Sequence, residues 1–206
     1  NISQSNDAGA CAAAVTWSAP TADDNCSVSS FTSTHSPGDQ FAVGTTTVTY
    51  TAIDGSNNTA SASFNVVVAD TEDPAIANVP TNISVTTDAD ACGATVTWTA
   101  PTASDNCGVT SFPSTHDSGD FFNVGSTTVS YSAMDAAGNG VTSSFTVTVT
   151  DGQAPTIAGL PADISVSNDP GQCAAVVTWT EPSATDNCGV TSFSSDETNG
   201  ASYPVG

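Results

Sequence analysis

Through the middle of the chain, apolar residues alternate with Thr and Ser. Ile83 and Val85 share one face, as do Val96, Trp98 and Ala100, then Val129, Tyr131 and Ala133, and last Phe145, Val147 and Val149. Period-two alternation is the mark of a half-buried strand, with its apolar side chains on the core face. Between the runs stand turn clusters: Pro101-Thr102, Asp105-Asn106, Ser118-Gly119-Asp120 and Ala137-Gly138-Asn139. These residues supply left-handed backbone conformations or cap their own turns. Six or seven short antiparallel strands in about 80 residues predict a small sandwich of the immunoglobulin or fibronectin type III class.

The pattern repeats. Cys11, Trp17 and Cys26 recur at Cys92, Trp98 and Cys107, and again at Cys173, Trp179 and Cys188, with the same interval at every step. Phe41, Gly44, Tyr50, Asp54, Phe64 and Asp70 recur at Phe122, Gly125, Tyr131, Asp135, Phe145 and Asp151. About 40 of the first 69 positions are identical one period later, which chance cannot produce. The chain therefore divides into repeats at 1–69, 70–150 and 151–206. The first lacks its opening segment and the third its final strands, so the natural chain is expected to be longer. The fold class expected is all-β: tandem immunoglobulin-like sandwiches joined by linkers of a few residues into an extended array. Tyr131-Ser132-Ala133 stands where an immunoglobulin strand places Tyr-x-Cys, so no inter-sheet disulfide of the antibody kind is expected.

Charge narrows the function. The 206 residues hold 21 Asp plus Glu and no Lys or Arg, a formal net charge of -21. Binding nucleic-acid phosphates or an anionic membrane surface requires clustered cations, so both partners are excluded. No run of about 18 apolar residues exists for a membrane helix, and the first residues do not read as a targeting peptide. Self-repulsion on this scale calls for screening by salt or by bound divalent ions. The junction Asp70-Thr71-Glu72-Asp73-Pro74 offers the hard oxygen ligands that Ca²⁺ takes, with Asp54 or Asn58 of the preceding turn within its expected reach. The second junction, Asp151-Gly152-Gln153-Ala154-Pro155, keeps a single carboxylate. Candidate metal ligands are accordingly Asp70, Glu72, Asp73 and Asp151, against the plainer view that Asp ends a strand and Pro stiffens the linker. The turns at Asp24-Asn25, Asp105-Asn106 and Asp186-Asn187 offer similar oxygens, but side-chain capping of the turn is the expected use. No other cofactor is implied.

The six cysteines form three equally spaced pairs: Cys11 with Cys26, Cys92 with Cys107, and Cys173 with Cys188. Pairing inside each repeat is the economical arrangement. The spacing is too wide for a zinc knuckle or a redox Cys-x-x-Cys. Disulfides persist outside a reducing cytosol, which points to a secreted or surface-displayed protein. His35 and His116 occupy equivalent loop positions, replaced by Glu197 in the third repeat, and read as solvated residues. No nucleophile–base pair or carboxylate pair in a cleft is legible, so the chain is not expected to be an enzyme. Asn-x-Ser/Thr triplets at Asn1, Asn25, Asn57 and Asn82 carry no weight in so Ser/Thr-rich a chain.

Taken in order, Asp70, Pro74 and Pro80, the run 94–101 (Ala-Thr-Val-Thr-Trp-Thr-Ala-Pro), Asp105-Asn106-Cys107-Gly108, Gly119 through Val124-Gly125, Thr127 to Tyr131 and Asp135-Ala-Ala-Gly-Asn139 resemble the hyalin repeat, or HYR, family. The likeness covers the whole chain. It implies an immunoglobulin-like fold and a role in extracellular adhesion. Many members carry a Cys just before the final Phe, whereas Ser precedes both Phe64 and Phe145 here. The leading expectation is a segment of a long adhesin or surface fibre, a disulfide-stabilised stalk partnered by neighbouring repeats and by other copies of the chain. Two other readings stand beside it. One is a multivalent module gripping glycans or cell-surface proteins, with Trp17, Trp98 and Trp179 as sugar platforms unless their alternating strands bury them. The other is a filament subunit assembling by strand exchange.

Overall fold

The computed structural model describes residues 1–206, all of them in strands, turns and irregular segments. Repeat one contributes β1 (Ile2–Ser5), β2 (Ala12–Ala14), β3 (Val28–Ser33), β4 (Gln40–Ala42), β5 (Gly44–Asp54) and β6 (Thr59–Ala69). Repeat two contributes β7 (Ala75–Ala77), β8 (Ile83–Thr86), β9 (Gly93–Thr95), β10 (Thr102–Ser104), β11 (Val109–Ser111), β12 (Phe121–Asn123), β13 (Gly125–Asp135) and β14 (Gly140–Thr150). Repeat three contributes β15 (Thr156–Ala158), β16 (Ala174–Val176), β17 (Ser183–Thr185) and β18 (Ser202–Pro204).

In repeat one the main sheet has the order β1-β6-β5-β3, and the pair β2-β4 faces it. The hairpin β5–β6 runs in register from Gly44↔Val68 to Ile53↔Thr59. Its alternation sends Val48, Tyr50, Val66 and Val68 inward, where they meet Ala13, Val15 and Phe41. The strand β1 adds to β6 in parallel, Ile2 opposite Val66 and Ser5 opposite Ala69, which closes one edge of the sheet. Repeat two reproduces this with the order β11-β13-β14-β8 and the pair β12-β9.

The run Val96–Ala100, expected as a strand, is largely irregular: β9 ends at Thr95. Beyond it Val96 donates to Asp120 O and accepts from Gly119, and the Trp98 N–H donates to Ser118 Oγ. Val96 is buried and Trp98 half-buried as expected, but Ala100 is exposed, so the alternation stops at Trp98, and a loop rather than a strand satisfies the backbone.

Compactness does not follow the sequence period. One compact unit comprises 1–80, 100–116 and 129–144; the other comprises 81–99, 117–128 and 145–206. The division passes through repeat two. In the first unit β7 pairs with β10, and the outer half of β13 pairs with β11. In the second, β8 pairs with Val147–Thr150 of β14, β9 with β12, β15 with β17, and β16 with β18.

The disulfides correct the sequence expectation. Cys11 is bonded to Cys107 and Cys92 to Cys188, each pair 96 residues apart, while Cys26 and Cys173 are free and exposed. Pairing within a repeat fails for a reason of length. Cys11 lies at the Gly44 end of β5, where its carbonyl accepts from Val43 N at 3.3 Å. Cys26 lies at the opposite end, just before Val28, which pairs with Asp54. Ten residues of strand separate those ends by roughly 33 Å, at ~3.3 Å per residue. A disulfide requires Cα atoms within about 7 Å. The bonded pairs stand 4.8 and 4.6 Å apart between Cα atoms.

In the chain-entropy view, closing a loop of about 100 residues is worth roughly 4.7 kcal/mol, against about 3 for a 15-residue loop. Peptide mapping without reduction is therefore expected to recover Cys11 joined to Cys107 and Cys92 joined to Cys188, with alkylation of Cys26 and Cys173 only. Cys11→Ser should lower the thermal midpoint by an amount corresponding to several kcal/mol.

Candidate functional site

Each cross-repeat bridge is seated in a pair of interlocking loops. The first is the Cys-bearing loop 7–11, folded on its own aspartate. The Asp7 carboxylate accepts from Ala14 N at 2.9 Å, and the Asp7 N–H donates to Ala12 O at 2.8 Å. Asp88 and Asp169 do the same with Thr95 N and Val176 N. The second is the Asp-Asn-Cys turn of the following repeat, in which Asp105 Oδ2 caps the N–H groups of Cys107 at 2.7 Å and Gly108 at 3.0 Å. Asn106 then reaches across, its Nδ2 donating to Ala10 O at 3.1 Å and to Asp70 Oδ1 at 3.3 Å. In the second unit Asn187 Nδ2 donates to Ala91 O at 2.7 Å. Two amides, one period apart, thus fasten the same two loops beside the two bridges.

The hairpin β13–β14 brings a further carboxylate to the first of these places. At the start of β11 the register shifts, and Thr110 Oγ1 fills the irregularity by donating to Met134 O and Asp135 O. Asp135 then closes the turn. Its Oδ1 accepts from Gly138 N at 2.7 Å and Asn139 N at 2.8 Å, and its Oδ2 accepts from Asn139 Nδ2 at 2.7 Å. Gly138 has φ +94°, and its counterpart in repeat one, Asn57, has φ +67°: the turn needs a left-handed residue, which Gly or Asn supplies. Burial opposes charge on Asp135, but the hydrogen bonds from Asn139, Gly138 and Ala137 prevail and hold its carboxyl below the ordinary value.

Asp70, Asp105 and Asp135 converge, each offering an oxygen within 4.8 Å of the others. Asp70 is 7% exposed and Asp135 3%. Asp70 Oδ1 accepts from Asn106 Nδ2 and Glu72 N, and the Asp70 carbonyl accepts from Asn139 Nδ2 at 3.3 Å. The other oxygens Asp70 Oδ2, Asp105 Oδ1 and Asn106 Oδ1 are buried and accept no hydrogen bond from the protein.

Of the four metal ligands expected from the sequence, only Asp70 joins this cluster. Glu72 Oε1 accepts from Gly9 N at 2.8 Å, and at the next junction Gln153 Oε1 accepts from Asp90 N at 3.2 Å. A neutral amide serves that purpose as well as a carboxylate, which accounts for the Glu-to-Gln change between junctions. Asp73 is exposed, and Asp151, also exposed, accepts from Gln153 N and Thr87 Oγ1. In the sequence Asp105 reads as the cap of its turn, which its Oδ2 is, and Asp135 does not stand out as a ligand. The signal that points to them is the period, which carries Asp24, Asp54 and Asp70 to Asp105, Asp135 and Asp151.

The other candidates are accounted for locally. Trp17 lies edge-on to Phe41 and Phe64, and its Nε1 donates to Tyr50 Oη at 2.8 Å. Trp98 packs in the same manner on Phe122 and Phe145. All three tryptophans are half-buried. His35 packs on Phe41 and meets Thr34 Oγ1 at 3.2 Å; His116 meets Thr115 Oγ1 at 3.3 Å. No helix is long and apolar enough to cross a membrane.

Period-linked all-β sandwiches, disulfides reaching into the next repeat and carboxylates gathered where repeats meet define a class of disulfide-tied tandem β-sandwich modules. Comparison narrows it. Residues 1–68, 69–149 and 150–206 each match the HYR domain, and the chain belongs to that family. Hyalin of Lytechinus variegatus is 39% identical over 198 residues, covering 93% of this chain and 37% of that protein. Hyalin of Strongylocentrotus purpuratus is 40% identical over 183 residues, 85% of this chain and 15% of that one. The chain thus spans well under half of either relative. A rat protein, "Sushi, von Willebrand factor type A, EGF and pentraxin domain-containing protein 1", is 38% identical over 131 residues, 61% of this chain and 4% of that one. Among solved structures, the protocadherin gamma B7 extracellular cadherin domains 1–4 align with a TM-score of 0.33 at 14% identity, over 78% of this chain and 51% of that one.

The Asp54 turn in repeat one yields a pH prediction. Hydrogen bonds from the Asn58 side chain and backbone, with a smaller one from Ser56, hold the Asp54 carboxyl below its ordinary value in spite of some desolvation. A group whose folded pKa lies below its unfolded one contributes stability above the unfolded value, about 3.9, and loses it as pH falls through the folded value. Asn58→Ala should therefore lower the melting temperature at neutral pH, and the gap from the parent should close in strong acid. An NMR titration should show the Asp54 carboxyl moving up.

Proposed function

We propose that the chain is a load-bearing segment of an extracellular adhesive stalk, in which successive HYR repeats are tied by disulfides and the tie, rather than the individual sandwich, resists extension. Family membership supports adhesion, and the two overlapping bridges support the mechanical role. The module is non-catalytic: its acidic groups are used as caps of turns and loops. The bridges support an oxidising compartment, secreted or at a cell surface. Its partners are neighbouring repeats and other copies of the same chain.

The overlap of the bridges is the observation that carries the reading. The shortest covalent route along the chain covers ten residues to Cys11, crosses to Cys107, runs back fifteen residues to Cys92, crosses to Cys188 and covers eighteen residues to Gly206. At ~3.5 Å per residue this route extends to roughly 160 Å, against about 720 Å for the whole chain. Within repeat two, only the segment between Cys92 and Cys107 lies on it. Residues 12–91 and 108–187 cannot be drawn out by tension on the ends while the bonds hold.

Single-molecule pulling from the two termini tests this. The oxidised chain should reach its limit near the shorter length, and the chain treated with a reductant near the longer, a difference of four- to fivefold. Release of the full length from the oxidised chain would refute the load-bearing reading.

A further inference from the structure

We propose that Asp70, Asp105 and Asp135, with the amide oxygen of Asn106, form a site for one divalent cation of the calcium class. Three carboxylate oxygens, drawn from the end of repeat one and from two turns of repeat two, lie within 4.8 Å of one another. Points so spaced lie no more than about 2.8 Å from a shared centre, a reach that accommodates the 2.3–2.6 Å of Ca²⁺–oxygen bonds.

A second observation is independent of the clustering. Asp70 is 7% exposed, and its Oδ2 accepts no hydrogen bond from the protein. Asp105 Oδ1 and Asn106 Oδ1, next to it, are also buried and unpartnered. Buried oxygens in this state carry a desolvation cost that other groups must offset. Elsewhere a Lys or Arg would do so, and the chain has neither. The remaining oxygens of the cluster are committed: Asp105 Oδ2 to two turn N–H groups, Asp135 to Gly138 and Asn139, and Asp70 Oδ1 to Asn106 and Glu72. These bonds fix the carboxylates while Asp70 Oδ2, Asp105 Oδ1 and Asn106 Oδ1 stay without a partner; Asp135, whose two oxygens already accept from the turn, would contribute a remaining lone pair, and a hard dication would stabilise the gathered charge.

The second unit carries part of the same design. Asp186 Oδ2 and Asn187 Oδ1 are buried and unpartnered, like Asp105 Oδ1 and Asn106 Oδ1. Asp151 corresponds to Asp70, but the position one period after Asp135 lies beyond Gly206. The complete set within this chain is therefore one, and the expected stoichiometry is one ion per chain.

Calorimetric titration of the full oxidised chain with CaCl₂ after chelation, paired with thermal melting, tests the assignment. The expected result is one Ca²⁺ bound at roughly 10⁻⁴–10⁻³ M, the range of extracellular modules, with a rise in melting temperature that NaCl of equal ionic strength does not reproduce. Asp70→Asn should weaken binding at least tenfold without lowering the melting temperature of the calcium-free chain, because it removes one of three repelling charges. Asp73→Asn, at the exposed neighbour, should leave binding unchanged. Asp105→Asn is the second variant, since its remaining carbonyl can still accept from Cys107 and Gly108, and it should weaken binding likewise. Absence of a saturable calcium heat up to about 10 mM, well beyond that range, would overturn the assignment. So would a stabilisation matched by NaCl, or equal effects of Asp70→Asn and Asp73→Asn.

Discussion

The bond between Cys11 and Cys107 decides what else can be near what. Once a loop of repeat one is held at 4.8 Å between Cα atoms from a turn of repeat two, Asn106 can reach Ala10 and Asp70, and Asp105 comes to lie beside the hairpin end that carries Asp135. Neither repeat contains this arrangement alone. The compact unit accordingly takes in all of repeat one and the part of repeat two that surrounds the bridge. The same relation recurs one period on, where Cys92–Cys188 seats Asn187 against Ala91.

A chain with no cationic side chain must satisfy its carboxylates by other means, and it does so with its own backbone. Asp7, Asp88 and Asp169 fold the Cys-bearing loops; Asp24, Asp105 and Asp186 cap the Asp-Asn-Cys turns; Asp54 and Asp135 close the hairpins. Each accepts from N–H groups that would otherwise lack a partner where a strand ends. The acidic composition is therefore a consequence of a fold made of short strands and many turns, as much as a matter of solubility. Asp70 departs from this use, being buried with one oxygen left over.

The period, the strand faces and the sandwich class were legible from alternation and self-similarity alone, because both are local properties. The cysteine pairing was not. Cys26 and Cys107 are equivalent positions of successive repeats, so their distances from Cys11 differ by one whole period and repetition favours neither. What separates them is the length of β5, which holds the two cysteines of a repeat at opposite ends. Val96 to Ala100 reads as a strand in the sequence for a related reason: Val96 and Trp98 alternate inward because they line a core, whether or not a ladder satisfies their backbone, while Ala100 is already exposed. The acidic site was half legible. Asp70 stood out beside Glu72 and Asp73, but proximity in sequence promoted two residues that point elsewhere and concealed two that the bridge brings in.

Tension and charge meet on the same short segment. Between Cys92 and Cys107 the chain passes through β9, the half-buried Trp98 and the turn that presents Asp105. This is the stretch of repeat two that remains in the covalent route once both bridges are formed, so its slack sets how far that repeat can lengthen. Trp98 holds it by packing against Phe122 and Phe145, and the Asp105 turn holds its far end. Drawing the segment taut would load the Asp105 turn, and a cation shared by Asp70, Asp105 and Asp135 would oppose its displacement. On the proposed load-bearing role, and with a cation at the proposed site, the segment that limits extension would be secured at one end by sulfur, in the middle by aromatic packing and at the other end by both sulfur and charge.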